Sequence, residues 1–117
     1  MKSLASIDEG DIETIKMALN DSISDINEEL KKSPSDKIKR DLLDYKEKYG
    51  RVLGKLRQSP SIYALAEHDL DLAASGLNDA IELLDNYMEL DDLTEEETAA
   101  IMIHKSDCQR LLNLLAG

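Results

Sequence analysis

Apolar residues recur along this chain in helical steps of three and four, and strand-like alternation is absent over any useful length. The row Ile38, Leu42, Tyr45, Tyr49, Val52, Leu56 advances by 4, 3, 4, 3 and 4. Tyr63, Ala66, Leu70, Ala73, Leu77, Ala80, Leu84 and Tyr87 alternate 3 and 4 throughout. Such spacing draws one apolar seam along a helix that packs at a shallow angle on its neighbour, as in a coiled coil. Ile12, Ile15, Leu19, Ile23, Ile26 and Leu30 form a similar row early in the chain, and Ile101, His104, Cys108, Leu111 and Leu115 form one at its end.

Start signals agree with the four rows. Ser33-Pro34-Ser35-Asp36 reads as a capping Ser with Pro at the first helical position, where its missing N–H costs nothing. Ser59-Pro60-Ser61 repeats it, Thr94 with Glu97 has the capping-box spacing, and Ser6 or Asp8 opens the first segment. The pattern predicts helices near 8–32, 34–57, 60–90 and 95–115. Connections this short force antiparallel neighbours, so the expected fold is all-α: one domain, an antiparallel four-helix bundle of two helical hairpins. The third helix would be the longest, about 45 Å at about 1.5 Å per residue. Ile62, Ala74, Ile81, Leu83, Met88 and Leu90 widen its apolar face on both sides of the seam, which admits a homodimer. Ser75-Gly76 within it is a candidate bend. Gly50 and Gly54 have the spacing that lets helices approach closely.

Composition changes this picture mainly through charge. The 117 residues carry 25 acids against 14 bases, a net charge of −11. Residues 1–59 hold 12 of each, so the whole excess lies in residues 60–117, where only Lys105 and Arg110 are basic. Phosphate backbones demand clustered Lys and Arg, and four Tyr are the only aromatics, so no nucleic-acid partner is expected. No run approaches the ~20 apolar residues of a membrane span. One Cys fits a reducing compartment, and the first ten residues lack a signal-peptide core, so a cytoplasmic protein is expected. Residues 34–57 are net basic, and Lys39, Lys46, Lys48 and Lys55 flank their seam, placed to meet the acidic third helix. In that third helix Asp71, Asp79, Glu82, Asp85 and Glu89 are read as facing away from the core, with Asp91 and Asp92 continuing the patch. These seven residues are the expected protein-binding surface, since a one-signed field steers a basic partner.

Candidate chemistry is sparse. His68 lies opposite the seam, and Leu65-Ala66-Glu67-His68-Asp69-Leu70 through Ala74-Ser75-Gly76-Leu77 is similar to the signature of histidine phosphotransfer domains, four-helix modules of about this size. The resemblance covers about a dozen residues and implies phosphoryl transfer at His68. Asp71 and Leu72 stand where the family expects Lys and a small residue. His68 with Glu67 or Asp71 would hold a metal only weakly, for want of a third ligand. His104 reads as a core histidine and Cys108 as a small apolar filler. Phosphate-cradling glycine loops and paired Glu-x-x-His motifs are missing. The expected protein is therefore a non-enzyme without metal or cofactor: an acidic interaction module of inhibitor, immunity, chaperone or adaptor type. A structural oligomer built on the third helix and a His68-based phosphotransfer or metal-binding module are the alternatives.

Overall fold

The computed structural model describes residues 4–116. About 85% of these are helical, in four α-helices, and the described residues contain no strand. The helices are α1 (Glu9–Lys31), α2 (Asp36–Gln58), α3 (Glu67–Met88) and α4 (Glu95–Ala116). Short 3₁₀ turns occupy Leu4–Ser6 and Ile62–Ala64. No described helix is long and apolar enough to cross a membrane.

Two starts follow the expected chemistry. Asp8 caps α1 by accepting the Asp11 N–H at 2.8 Å, while Asp11 accepts the Asp8 N–H in return. Thr94 and Glu97 close the same reciprocal pair at α4. The Ser-Pro starts differ. Ser33 takes φ 55°, the left-handed conformation that ends α1, and Ser35 caps α2 instead. Ser59-Pro60 does not start a helix. Ser61 caps the 3₁₀ turn, and α3 begins only at Glu67. The linker carries Ile62 and Leu65, both buried in the core. Hence α3 has 22 residues, no more than its neighbours, and Ile62 is a core residue and not part of an apolar flank.

The bundle is centred on α1 and α3, which run parallel, with α2 and α4 antiparallel to them on opposite flanks. Gly76 makes the central approach possible: a Cβ placed there would stand 2.8 Å from Leu19 Cδ2. Ser22 donates to the Gly76 carbonyl at 3.2 Å. Ser75-Gly76 thus lies within an unbroken α3 and serves as a crossing point. Gly50 and Gly54, expected to mark such a crossing, have open space beside them. Gly76→Ala should therefore lose about 1 kcal/mol, because overpacking against fully buried Leu19 outweighs the helix-propensity gain. Gly50→Ala should gain about 0.5–1 kcal/mol. Urea titration of both variants checks the pair, and a stabilised Gly76→Ala would contradict the tight crossing.

The two hairpins correspond position by position. Glu67 starts α3 58 positions after Glu9 starts α1. The buried residues Asp11, Ile12, Ile15, Ala18, Leu19, Ser22 and Ile26 match the buried Asp69, Leu70, Ala73, Gly76, Leu77, Ala80 and Leu84 at that offset. Tyr49, Val52 and Leu56 match Cys108, Leu111 and Leu115 at 59. Ion pairs obey the same exchange of α1 with α3 and α2 with α4. Arg110 of α4 meets Asp11 of α1, and Lys55 of α2 meets Asp69 of α3. Both pairs tie a helix start to a helix end at one pole of the bundle, where the core is closed.

Candidate functional site

The opposite pole, formed by the last turns of α1 and α3 and the first turns of α2 and α4, is open. Ile38 and Tyr45, expected on a core seam, are 52% and 46% exposed, and Leu42 is half-buried. Leu42 and Tyr45 border a cleft of about 480 Å³ between α1, α2 and α3. Its apolar floor comes from Ile26, Leu42 and Leu83, with Tyr45 at one side. Asp25 and Glu29 of α1 and Asp79 and Glu82 of α3 supply four carboxylates, and no Lys or Arg lines it.

Asp79 is the best-held of these groups. The buried Tyr49 hydroxyl donates to Asp79 Oδ2 at 2.9 Å and lies 2.8 Å from Ser75 Oγ. Burial pushes the Asp79 carboxyl above the usual range; Glu82 and Asp25 push the same way, and the Tyr49 hydrogen bond only partly opposes them. Burial also raises Tyr49, which keeps its proton and stays a donor.

A second cleft of about 310 Å³ lies on the α4 side of the α1–α3 pair. Asp21, Ser24, Asp25 and Glu28 line it from α1, and Ala80, Leu83, Leu84 and Tyr87 from α3. All eight are the 58-residue counterparts of residues in the first cleft. Asp79, Glu82 and Asn86 correspond to Asp21, Ser24 and Glu28; Ser22, Ile26 and Glu29 correspond to Ala80, Leu84 and Tyr87; Asp25 and Leu83 change places. Partial burial raises the Asp21 carboxyl too, opposed by His104 of α4. A third cleft, between α3 and α4, contains Asp85, Met88 and Met102.

The expected acidic surface is divided among these places. Asp79 leans inward to Tyr49 and Glu82 rims the first cleft, whereas Asp85 turns toward α4 and pairs with Lys105. Six residues at about 100° each bring Asp79 and Asp85 roughly 120° apart, so they cannot share one face. Asp79 therefore does not face away from the core as the seam register suggested. Glu89, Asp91 and Asp92 are exposed at the α3–α4 turn, and Asp71 is exposed nearer the closed pole. Asp21, Asp25, Glu28 and Glu29 of α1 were missed, although their steps of 4, 3 and 1 trace one acidic stripe. Of the lysines expected to reach α3, Lys55 pairs with Asp69, and Lys48 pairs with Asp44 in its own helix.

His68 is exposed, with Nε2 3.3 Å from Nη2 of Arg51. No group of three His, Cys, Asp or Glu able to hold a metal occurs among the described residues. His104 is half-buried, not a core residue. Cys108 is fully buried, and burial first, then Asp107 and Asp21, push its thiol up to about 11, so it stays protonated at neutral pH. Comparison of the chain with protein-family models, with curated proteins and with solved structures finds no match.

Proposed function

We propose that this chain is a non-enzymatic helical interaction module whose open pole docks a partner protein with a basic surface. The observation that carries this reading is the first cleft: an apolar floor beneath four carboxylates, with no base among its lining residues. Half-buried Asp79 has a neutral hydroxyl as hydrogen-bond partner and two other carboxylates as electrostatic neighbours. A Lys or Arg brought by a partner would supply the missing counter-charge, and the apolar floor would add burial. Glu89, Asp91 and Asp92 extend the negative field beyond the cleft and favour encounter. A helical peptide of Leu and Lys serves as the probe. Glu82→Lys with Glu89→Lys changes two exposed residues, so the fold is expected to survive. Association should slow, and its salt dependence should flatten. Unchanged rates across ionic strength in a folded double variant would remove the docking reading.

A specific observation also supports self-association. Exposed Met88 and Met102 share the cleft between α3 and α4, and Leu90 on the following turn and Ile103 on α4 are exposed as well. Light scattering that finds dimers at micromolar concentration would favour that reading.

A further inference from the structure

We propose that the open pole is bivalent: each of its two clefts takes one copy of the same basic amphipathic helical segment, so that one chain holds two. The proposal rests on the docking reading above and adds its stoichiometry and the form of its ligand. Exchange of α1 with α3 maps every residue of the smaller cleft onto a residue of the larger. The overall character is carried over although most single positions differ: Glu82 and Glu29 become Ser24 and Tyr87, Asn86 becomes Glu28, and the smaller cleft keeps three carboxylates, Asp21, Asp25 and Glu28, beside Leu83 and Leu84. Each cleft is lined by an acid at the same position, half-buried Asp79 or its exposed counterpart Asp21, and each has a buried apolar residue, Ile26 or its counterpart Leu84. Leu83 and Asp25 contribute to both, and neither cleft is lined by Lys or Arg.

The occupant follows from shape and charge. Both clefts are grooves that run along the parallel α1 and α3, and a groove between helices receives the side-chain ridge of another helix. Ser75 to Asn86 in the larger cleft spans about three turns, roughly 16 Å, which sets the contact length at about eleven residues. Apolar side chains on one face of that segment meet the floor, and Lys or Arg beside them meet the rim acids. The same segment meets both elements again in the smaller cleft, where Asp21, Asp25 and Glu28 stand beside Leu83 and Leu84, over a shorter stretch and without the α2 wall. A partner that is itself a two-fold dimer would present its two copies in this way.

The probe is a synthetic helical peptide of about fourteen residues with Leu on one face and Lys on the other. Native mass spectrometry and titration calorimetry at physiological salt should count two peptides per chain. Glu82 lines only the larger cleft and Glu28 only the smaller, and both are exposed. Glu82→Lys and Glu28→Lys should each leave one peptide bound, with its affinity within about threefold, and the double variant should weaken both sites by at least about tenfold. A single peptide on the unaltered chain, lost with Glu82→Lys and indifferent to Glu28→Lys, would overturn bivalence and leave the docking reading intact. No binding, or two peptides retained by the double variant, would overturn both. A peptide of equal charge with Gly and Ser in place of Leu should bind at least about tenfold more weakly; equal binding would show charge attraction alone and would also overturn the proposal.

Discussion

Leu56→Asp is expected to unfold the protein, while Leu42→Asp, about four turns upstream on the same seam of α2, leaves it folded. Leu56 is fully buried at the closed pole, so an aspartate there loses its water and gains no cation. Stranding a charge in such a site costs several kcal/mol, a large part of the ~5–15 kcal/mol that holds a domain of this size together. Leu42 was expected to be equivalent from its spacing. It is half-buried on the floor of the larger cleft, where a carboxylate keeps part of its hydration. Its replacement should cost about 1–2 kcal/mol, mainly through lost floor contacts and a fifth carboxylate among four. Thermal unfolding followed by circular dichroism separates the two variants. Similar melting curves would mean that the open pole is as well covered as the closed one.

Asp69→Ala should produce the second large effect, and one that depends on pH. Asp69 is 2% exposed, accepts the Ala66 N–H at 3.1 Å at the start of α3, and pairs with Lys55 from the end of α2. Burial alone would raise its carboxyl, but Lys55 and the Ala66 N–H outweigh that and hold it below the usual range. A carboxyl lowered by folding contributes stability above its unfolded value, near 3.9, and loses it as pH falls through the folded value. Truncation should cost about 2 kcal/mol at pH 7, less than for a fully enclosed pair because Lys55 is 41% exposed and returns to water. Below about pH 4 the deficit should shrink. Asp11, held low first by its hydrogen bond to Arg110, should behave alike. Asp79 has the opposite sign: its raised carboxyl favours the fold at low pH and loses that contribution as pH rises. Urea titrations of Asp69→Ala and the unaltered chain near pH 7 and pH 3 test this, and a pH-independent deficit would show that the ion pair contributes nothing.

Four helices, their antiparallel hairpins, the caps at Asp8 and Thr94 and the middle of the α1 and α3 seams were legible in the sequence, because each depends on residues within a turn or two of one another, whereas Tyr63, Ala66 and Tyr87 at the ends of the third row are exposed. Periodicity reports which side of a helix is apolar and is silent on what covers it. Tertiary structure decided that Ile38 and Tyr45 stand at an opening while Tyr49, Val52 and Leu56, on the same seam, are sealed. The reason lies across the bundle: Ser22, Asp25, Glu29, Asp79 and Glu82 face that part of α2, and closing over them would strip the carboxylates of water. The late start of α3 was likewise hidden, since Ser59-Pro60 is a sound local start, yet the chain forms a 3₁₀ turn at Ile62–Ala64 and begins α3 at Glu67, with Ile62 and Leu65 buried. The acids of α3 were visible as a set, but their division between Tyr49 and Lys105 depends on which helix lies on each side. Leu19-Asn20-Asp21 and Leu77-Asn78-Asp79 could be read as the same words in the chain. That they place equivalent acids in two clefts was decided by packing, because the close approach of Leu19 to Gly76 sets α1 and α3 side by side and in parallel.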